Sequence, residues 1–195
     1  MPMHDFTTFP VLQTARLILR EVRPADAADV LVFRGDPYVQ RFNSEPLKTR
    51  QEAAVFIEEA LQQHATQAGF GWAITLRGQD RVLGGVSLHA WEKYHRRAEV
   101  GYDLARAFWG QGIGSEAVRA VLAFGFTQLN LNRIEAATIA DNHESVNLLK
   151  KLGFRLEGLR RGYSWEEDGT FHDSAMFGLL RAEFMGTPAD KDRNE

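Results

Sequence analysis

The sequence predicts an α/β (α+β) domain in which one mixed, mostly antiparallel sheet of six to seven strands carries helices on both faces. Three observations predict it. Apolar residues alternate through Phe70–Leu76, Val82–Leu88 and Ala98–Leu104, a run of three strands separated by short turns. A strand–helix–strand unit then spans Ala98 to Ile139. Antiparallel strands flank that unit on both sides, so parallel and antiparallel pairs share one sheet.

Taken in order, Arg16–Arg20 (RLILR) reads as a short strand, and Pro24 opens a helical stretch over Ala25–Phe33. The segment GDPYVQRFNSEP reads as a loop with Tyr38 and Phe42 as anchors. Gln51–Gln63 is built of good helix formers, with Ala54, Ile57 and Leu61 on one face. After the three alternating strands, Val118, Val121, Leu122, Gly125 and Leu129 fall on one helical face. Arg133–Ile139 follows as a strand and Asp141–Leu152 as a helix. Phe154–Leu159 and Ala175–Leu180, around a Gly169 turn, complete the sheet.

At 195 residues and 44% hydrophobic content, the chain supports one sizeable core and not two comfortable domains. A single domain over 1–195 is expected, with its core at about 14–182 and peripheral ends at 1–13 and 186–195. The net charge of −3 gives no bulk attraction to nucleic acid or to an anionic membrane. With no cysteine, thiolate metal sites, disulfides and a cysteine nucleophile are excluded. MPMHDFTTFP has no basic start followed by an apolar run, and no stretch reaches the roughly 18 apolar residues of a membrane span. A cytoplasmic protein is expected. The six histidines show no metal-ligand spacing, so no metal is expected.

The chemistry concentrates where the third alternating strand meets the next helix, at FWGQGIGSEA. A P-loop would need Gly-Lys-Ser/Thr, which is absent, and a dinucleotide fingerprint would need glycine or alanine at Ser115. A flexible turn that merely caps the helix is the plain alternative. However, free amides at a helix N-terminus, with the positive end of its dipole, make an anion site that needs no lysine.

GQGIGSEA after AEVGYDLARAFW, followed by DNHESVNLLKKLGF, resembles the GCN5-related N-acetyltransferases (GNAT), and within them the RimJ/RimL-type branch. The similarity runs from RLILREVRPAD to HDSAMFGL. It implies a sheet splayed in its middle and a glycine loop wrapped around the pyrophosphate of acetyl-CoA. Gln111, Gly112, Ile113, Gly114 and Ser115 would supply those contacts, and Leu104 and Arg106 would pair with the pantetheine arm. Trp109 stands where the family pattern has Gln or Arg.

Asn142 matches the family asparagine that bonds the cofactor, and Ser145 follows at i, i+3. Leu149 occupies the position of a tyrosine that protonates the leaving thiolate in many members, and the resemblance passes that role to Ser145. Both Asn142 and Ser145 equally suit a helix cap. Glu99 is the expected base, against the alternative of an exposed carboxylate paired with Arg96 or Arg97; Asp103 and Asp173 are weaker candidates. Tyr38, Arg41, Phe42 and Tyr102 are expected at the acceptor site, with the 89–97 loop.

The expected function is acetyl transfer from acetyl-CoA by direct attack of a primary amine, foremost a protein N-terminus of the ribosomal-protein kind. A small amine (polyamine, aminoglycoside or amino acid) and a non-catalytic acyl-CoA sensor are the alternatives. The resemblance also allows a homodimer.

Overall fold

The computed structural model describes residue 6 and residues 8–166 and 168–186. Its strands are β1 (Leu12–Gln13), β2 (Leu17–Glu21), β3 (Phe70–Leu76), β4 (Val82–Glu92), β5 (Arg97–Leu104), β6 (Arg133–Ile139), β7 (Arg155–Trp165) and β8 (Phe171–Leu180). The helices are α1 (Ala27–Arg34), α2 (Pro37–Gln40), α3 (Arg50–Ala65), α4 (Ile113–Thr127), α5 (His143–Lys151) and α6 (Arg181–Gly186). All eight strands form one sheet in the order β1-β2-β3-β4-β5-β6-β8-β7, antiparallel except for β5 against β6.

The sheet has one strand more than the upper expectation, because Leu12 and Gln13 pair with Leu19 and Ile18. Two paired residues leave no periodicity to read. The expected loop at 35–46 contains α2, which Asp36 starts by accepting from the Tyr38 N–H at 2.8 Å, with Pro37 at the first helical position. Thr49 caps α3 through the Glu52 N–H. Strand β4 runs past Leu88 to Glu92 through a register shift, with Ala90 at φ 49. The last two strands reach Trp165 and Phe171, and β7 is exposed along almost its whole length, which removes the apolar alternation that would reveal its extent.

Helices cover both faces of the sheet. On one, α4 packs Val118, Val121, Leu122 and Phe126 against Leu17, Trp72, Leu88 and Val100. These four side chains are fully buried, each contributing about 1.5–3 kcal/mol. On the other, α1 and α3 bring Val30, Phe33, Ala53 and Ile57 against Ala73 and Val82. Phe6 and Phe9 pack edge-on against Phe70, so these two rings add to the aromatic end of the core. No described helix is long and apolar enough to cross a membrane.

One feature of the sheet positions the site. Strands β5 and β6 pair only over Arg97–Glu99 and Arg133–Glu135. Beyond that, β5 stays with β4 as far as Leu104, and β6 stays with β8 as far as Ile139. The two strands keep their outer partners and lose each other, so the sheet opens between them.

Candidate functional site

The opened edge belongs to three residues. Arg96 C=O accepts from Asn132 N–H at 2.7 Å on the β6 side, whereas Ala105 N–H donates to Leu83 C=O at 2.8 Å on the β4 side. Backbone alternation therefore turns the peptide groups of Val100, Tyr102 and Leu104 toward the gap. The Leu104 carbonyl is already engaged, because Trp109 Nε1–H donates to it at 2.6 Å. The Arg106 carbonyl accepts from Trp109 N–H at 3.1 Å. Sequence reasoning named Leu104 and Arg106 but overlooked Val100 and the Tyr102 backbone. Strand parity, fixed by the pairing of Arg96, is the signal that identifies them.

Between the end of β5 and α4 the chain makes a 3₁₀ turn (Arg106–Phe108) and then the glycine loop. Gly110 (φ 71) and Gly112 (φ 74) both lie in the left-handed region, so two of the three glycines are required by backbone conformation. Gly112 is the N-cap of α4, and no side chain caps that helix. Gly114 has a different reason: a Cβ there would stand 3.4 Å from Leu148 Cδ1 of α5. The first-turn amides of Ile113, Gly114 and Ser115 thus face a groove with the dipole's positive end behind them.

Glu116, in the same turn, is held by the Thr14 hydroxyl at 2.5 Å and by Arg16 Nε at 2.6 Å. Burial works against its charge, but the bonds from Thr14 and Arg16 outweigh burial and hold the carboxyl below its ordinary range.

Across the groove, Asn142 caps α5 by accepting the Ser145 N–H at 3.2 Å. The Ser145 hydroxyl is 2.8 Å from Tyr102 Oη on β5. Burial pushes the Tyr102 phenol up to about 12. Leu149, one turn on, is buried in the core.

These elements enclose a cleft of about 370 Å³, which unites Leu104, Gly112, Ile113, Gly114, Ser115, Asn142 and Ser145 with Arg41, Phe42 and Tyr102. Gln111 is not among the residues lining the cleft; its carbonyl accepts from Arg16 Nη1 and its side-chain amide donates to the Ala107 carbonyl. Tyr38 and Arg106 form an outer stack: the Arg106 guanidinium lies 4.4 Å and that of Arg41 3.8 Å from the Tyr38 ring centre.

Glu99 lies on the opposite face of β5, alternating with Ala98 and Val100. Its neighbour is His89, at 3.8 Å, and not Arg96 or Arg97; His89 in turn is 3.2 Å from the Ser87 hydroxyl. On this α1/α3 side a second cavity of about 290 Å³ has a floor that includes Gly71, Gly85 and Gly101, and it borders on Tyr102 and Asp103. The cleft borders on the same two residues from the other side. Asp103 pairs with Arg34 at 2.5 Å, a contact that sequence reasoning missed because 69 positions separate the two.

Residues 16–155 match the family model described as Acetyltransferase (GNAT) domain. The chain is 36% identical to p20, an uncharacterized N-acetyltransferase of Bacillus licheniformis, over 90% of its own length and 98% of that protein's. It is 33% identical over 54% of its length to 57% of YdaF of Bacillus subtilis (strain 168), which carries the provisional name ribosomal N-acetyltransferase. The solved structure of RimL, a ribosomal L7/L12 alpha-N-protein acetyltransferase in complex with coenzyme A, superposes with a TM-score of 0.80. That superposition covers 88% of this chain and 98% of RimL at 22% identity, a likeness of fold.

Proposed function

This chain belongs to the GNAT acetyltransferase family and is an N-acetyltransferase, and we propose that it transfers acetyl from acetyl-CoA, held in the cleft between β5 and α5, to a protein N-terminal amine. The observation that carries this reading is the meeting, in one cleft, of an uncapped helix N-terminus, an open strand edge and the Tyr102–Ser145 hydroxyl pair. The amides at 113–115 suit a pyrophosphate. The edge at Val100, Tyr102 and Leu104 suits an amide-bearing arm that pairs as an added strand. Such a placement brings the thioester beside Ser145.

The chemistry is undemanding. The amine attacks the thioester carbonyl directly, a backbone N–H from the open edge polarises the oxygen, and Ser145 supplies a proton to the departing sulfur. Glu99, beside His89 on the other face, takes the amine's proton through water. A free α-amine titrates about 2.5 units below lysine, so neutral lysine costs roughly 3.4 kcal/mol more to reach. A water-relayed base therefore suits an N-terminus better, in keeping with the name of YdaF.

The cavity of about 290 Å³ on the Glu99 side favours a second reading, a small amine enclosed there. Thiol release from acetyl-CoA in the presence of Ala- or Ser-initiated peptides, spermidine and aminoglycosides separates the two. The first reading predicts the highest kcat/KM with the peptides; turnover confined to the small amines overturns it.

A further inference from the structure

Tyr102 and Ser145 come from elements with no sequence proximity, β5 and α5, and their oxygens meet at 2.8 Å inside the cleft. Either oxygen could donate by geometry. Acidity decides between them: a phenol is the stronger donor and an aliphatic hydroxyl the stronger acceptor. Tyr102 Oη–H therefore points at Ser145 Oγ, which leaves the serine proton free to turn into the cleft. The reverse arrangement would spend Ser145's single proton on the phenol.

We infer that Tyr102 is a positioning residue that aims the Ser145 hydroxyl proton at the departing thiolate. The inference rests on the acetyltransferase reading above and adds to it a residue that acts through Ser145. As the amine lone pair forms the new C–N bond, the C–S bond breaks and its electron pair stays on sulfur. Sulfur takes the Ser145 proton, and Ser145 Oγ takes the Tyr102 proton. The proton shed by the amine nitrogen leaves through the base to water, and water returns one to the Tyr102 phenolate. Two donors in series also polarise each other, so the serine proton is more available than in an isolated hydroxyl.

Three features agree with this role. Tyr102 is held in its protonated form by burial, so it enters each cycle as a donor. Leu149 cannot act as a donor where a tyrosine would, and it is buried besides. The Tyr102 peptide group borders the open edge, which keeps its ring within reach of any ligand lying along β5.

The test uses the bound CoA thiol and needs no acceptor. Ultraviolet thiolate absorbance is titrated for CoA on the parent protein, Tyr102→Phe, Ser145→Ala and the double variant. A donor aimed at sulfur stabilises the thiolate, so each single variant should raise the bound thiol's pKa by about one pH unit, and the double variant should go no further. Kinetically, Tyr102→Phe should lower kcat about tenfold and leave KM for acetyl-CoA nearly unchanged. Phenylalanine keeps the ring in place, so a packing role alone would leave both measurements at parental values. A parental titration for Tyr102→Phe, or additive shifts in the double variant, overturns the inference. Failure of CoA to bind overturns the acetyltransferase reading along with it. An active parent with an unaltered Tyr102→Phe overturns the inference alone.

Discussion

Arg16 and Glu116 join the entrance of the first long strand to the first turn of α4. Arg16 Nε lies 2.6 Å from the Glu116 carboxylate, and Arg16 Nη1 donates to the Gln111 carbonyl at 2.9 Å. The guanidinium therefore grips the glycine loop from outside while Glu116 anchors it from within. A carboxylate at a helix N-terminus is favourable in itself but competes with any anionic ligand for the same amides. Arg16 and Thr14 turn its charge away from the cleft.

Glu116→Ala should loosen this grip. Arg16 is nearly half exposed, so the stability loss is expected to stay near 1 kcal/mol. The effect on the ligand should be larger in proportion: the Kd for acetyl-CoA rises about threefold to tenfold, since the loop is no longer held in one geometry. Calorimetric titration measures it, and an unchanged Kd would reduce the clamp to a fold contact.

Gly112→Val tests the cradle itself. A side chain at φ 74 costs about 1–2 kcal/mol of backbone strain, and its Cβ would stand 3.4 Å from Arg16 Nη2. The Kd for acetyl-CoA should rise at least about tenfold with the far-ultraviolet circular dichroism kept. Parental affinity would contradict a ligand held by these amides.

Glu99→Gln should lower kcat at least about tenfold, with KM for acetyl-CoA held, if this carboxylate serves as the base. An unchanged rate would leave Glu99 as no more than the partner of His89.

Acid should unfold the protein through two carboxylates. Asp26 is buried and receives two bonds from Arg20, at 2.8 and 2.9 Å. Burial opposes its charge, but those bonds and the Arg23 N–H outweigh it, so its folded value is depressed, as is that of Glu116. A depressed carboxylate stabilises the fold above its unfolded value, near 4, and loses that contribution as pH falls through the lower folded value. Urea unfolding between pH 7 and pH 3 should show stability flat and then falling below about pH 4. Asp26→Ala should cost about 3–5 kcal/mol at neutral pH, because it leaves Arg20 buried with less compensation, and its acid slope should be shallower. Parallel curves for parent and variant would contradict this assignment.

Much of the fold was legible because its elements carry their own signals. The alternation in β3 and β5, the apolar face of α4 and the capping asparagine of α5 each follow from a few adjacent residues. What escaped depends on long-range packing. Strand β7 has one paired side and an exposed surface, so nothing in its side chains records its length. The site divided in the same way. The glycine loop announced itself through conformation, since Gly110 and Gly112 need positive φ. The Tyr102–Ser145 bond and the Arg34–Asp103 pair join residues 43 and 69 positions apart, and no local pattern foretells them. Trp109, a departure from the family motif, binds the Leu104 carbonyl and so helps to hold the loop against the end of β5.

Amide hydrogen exchange with and without CoA tests the central claim most directly, because it reads the backbone groups assigned to the ligand. Bound CoA should slow exchange across 110–116 and along 100–104, and leave α1 and α3 as they are in the free protein. Protection confined to the α1/α3 face, or none in either segment while CoA is bound, would contradict it.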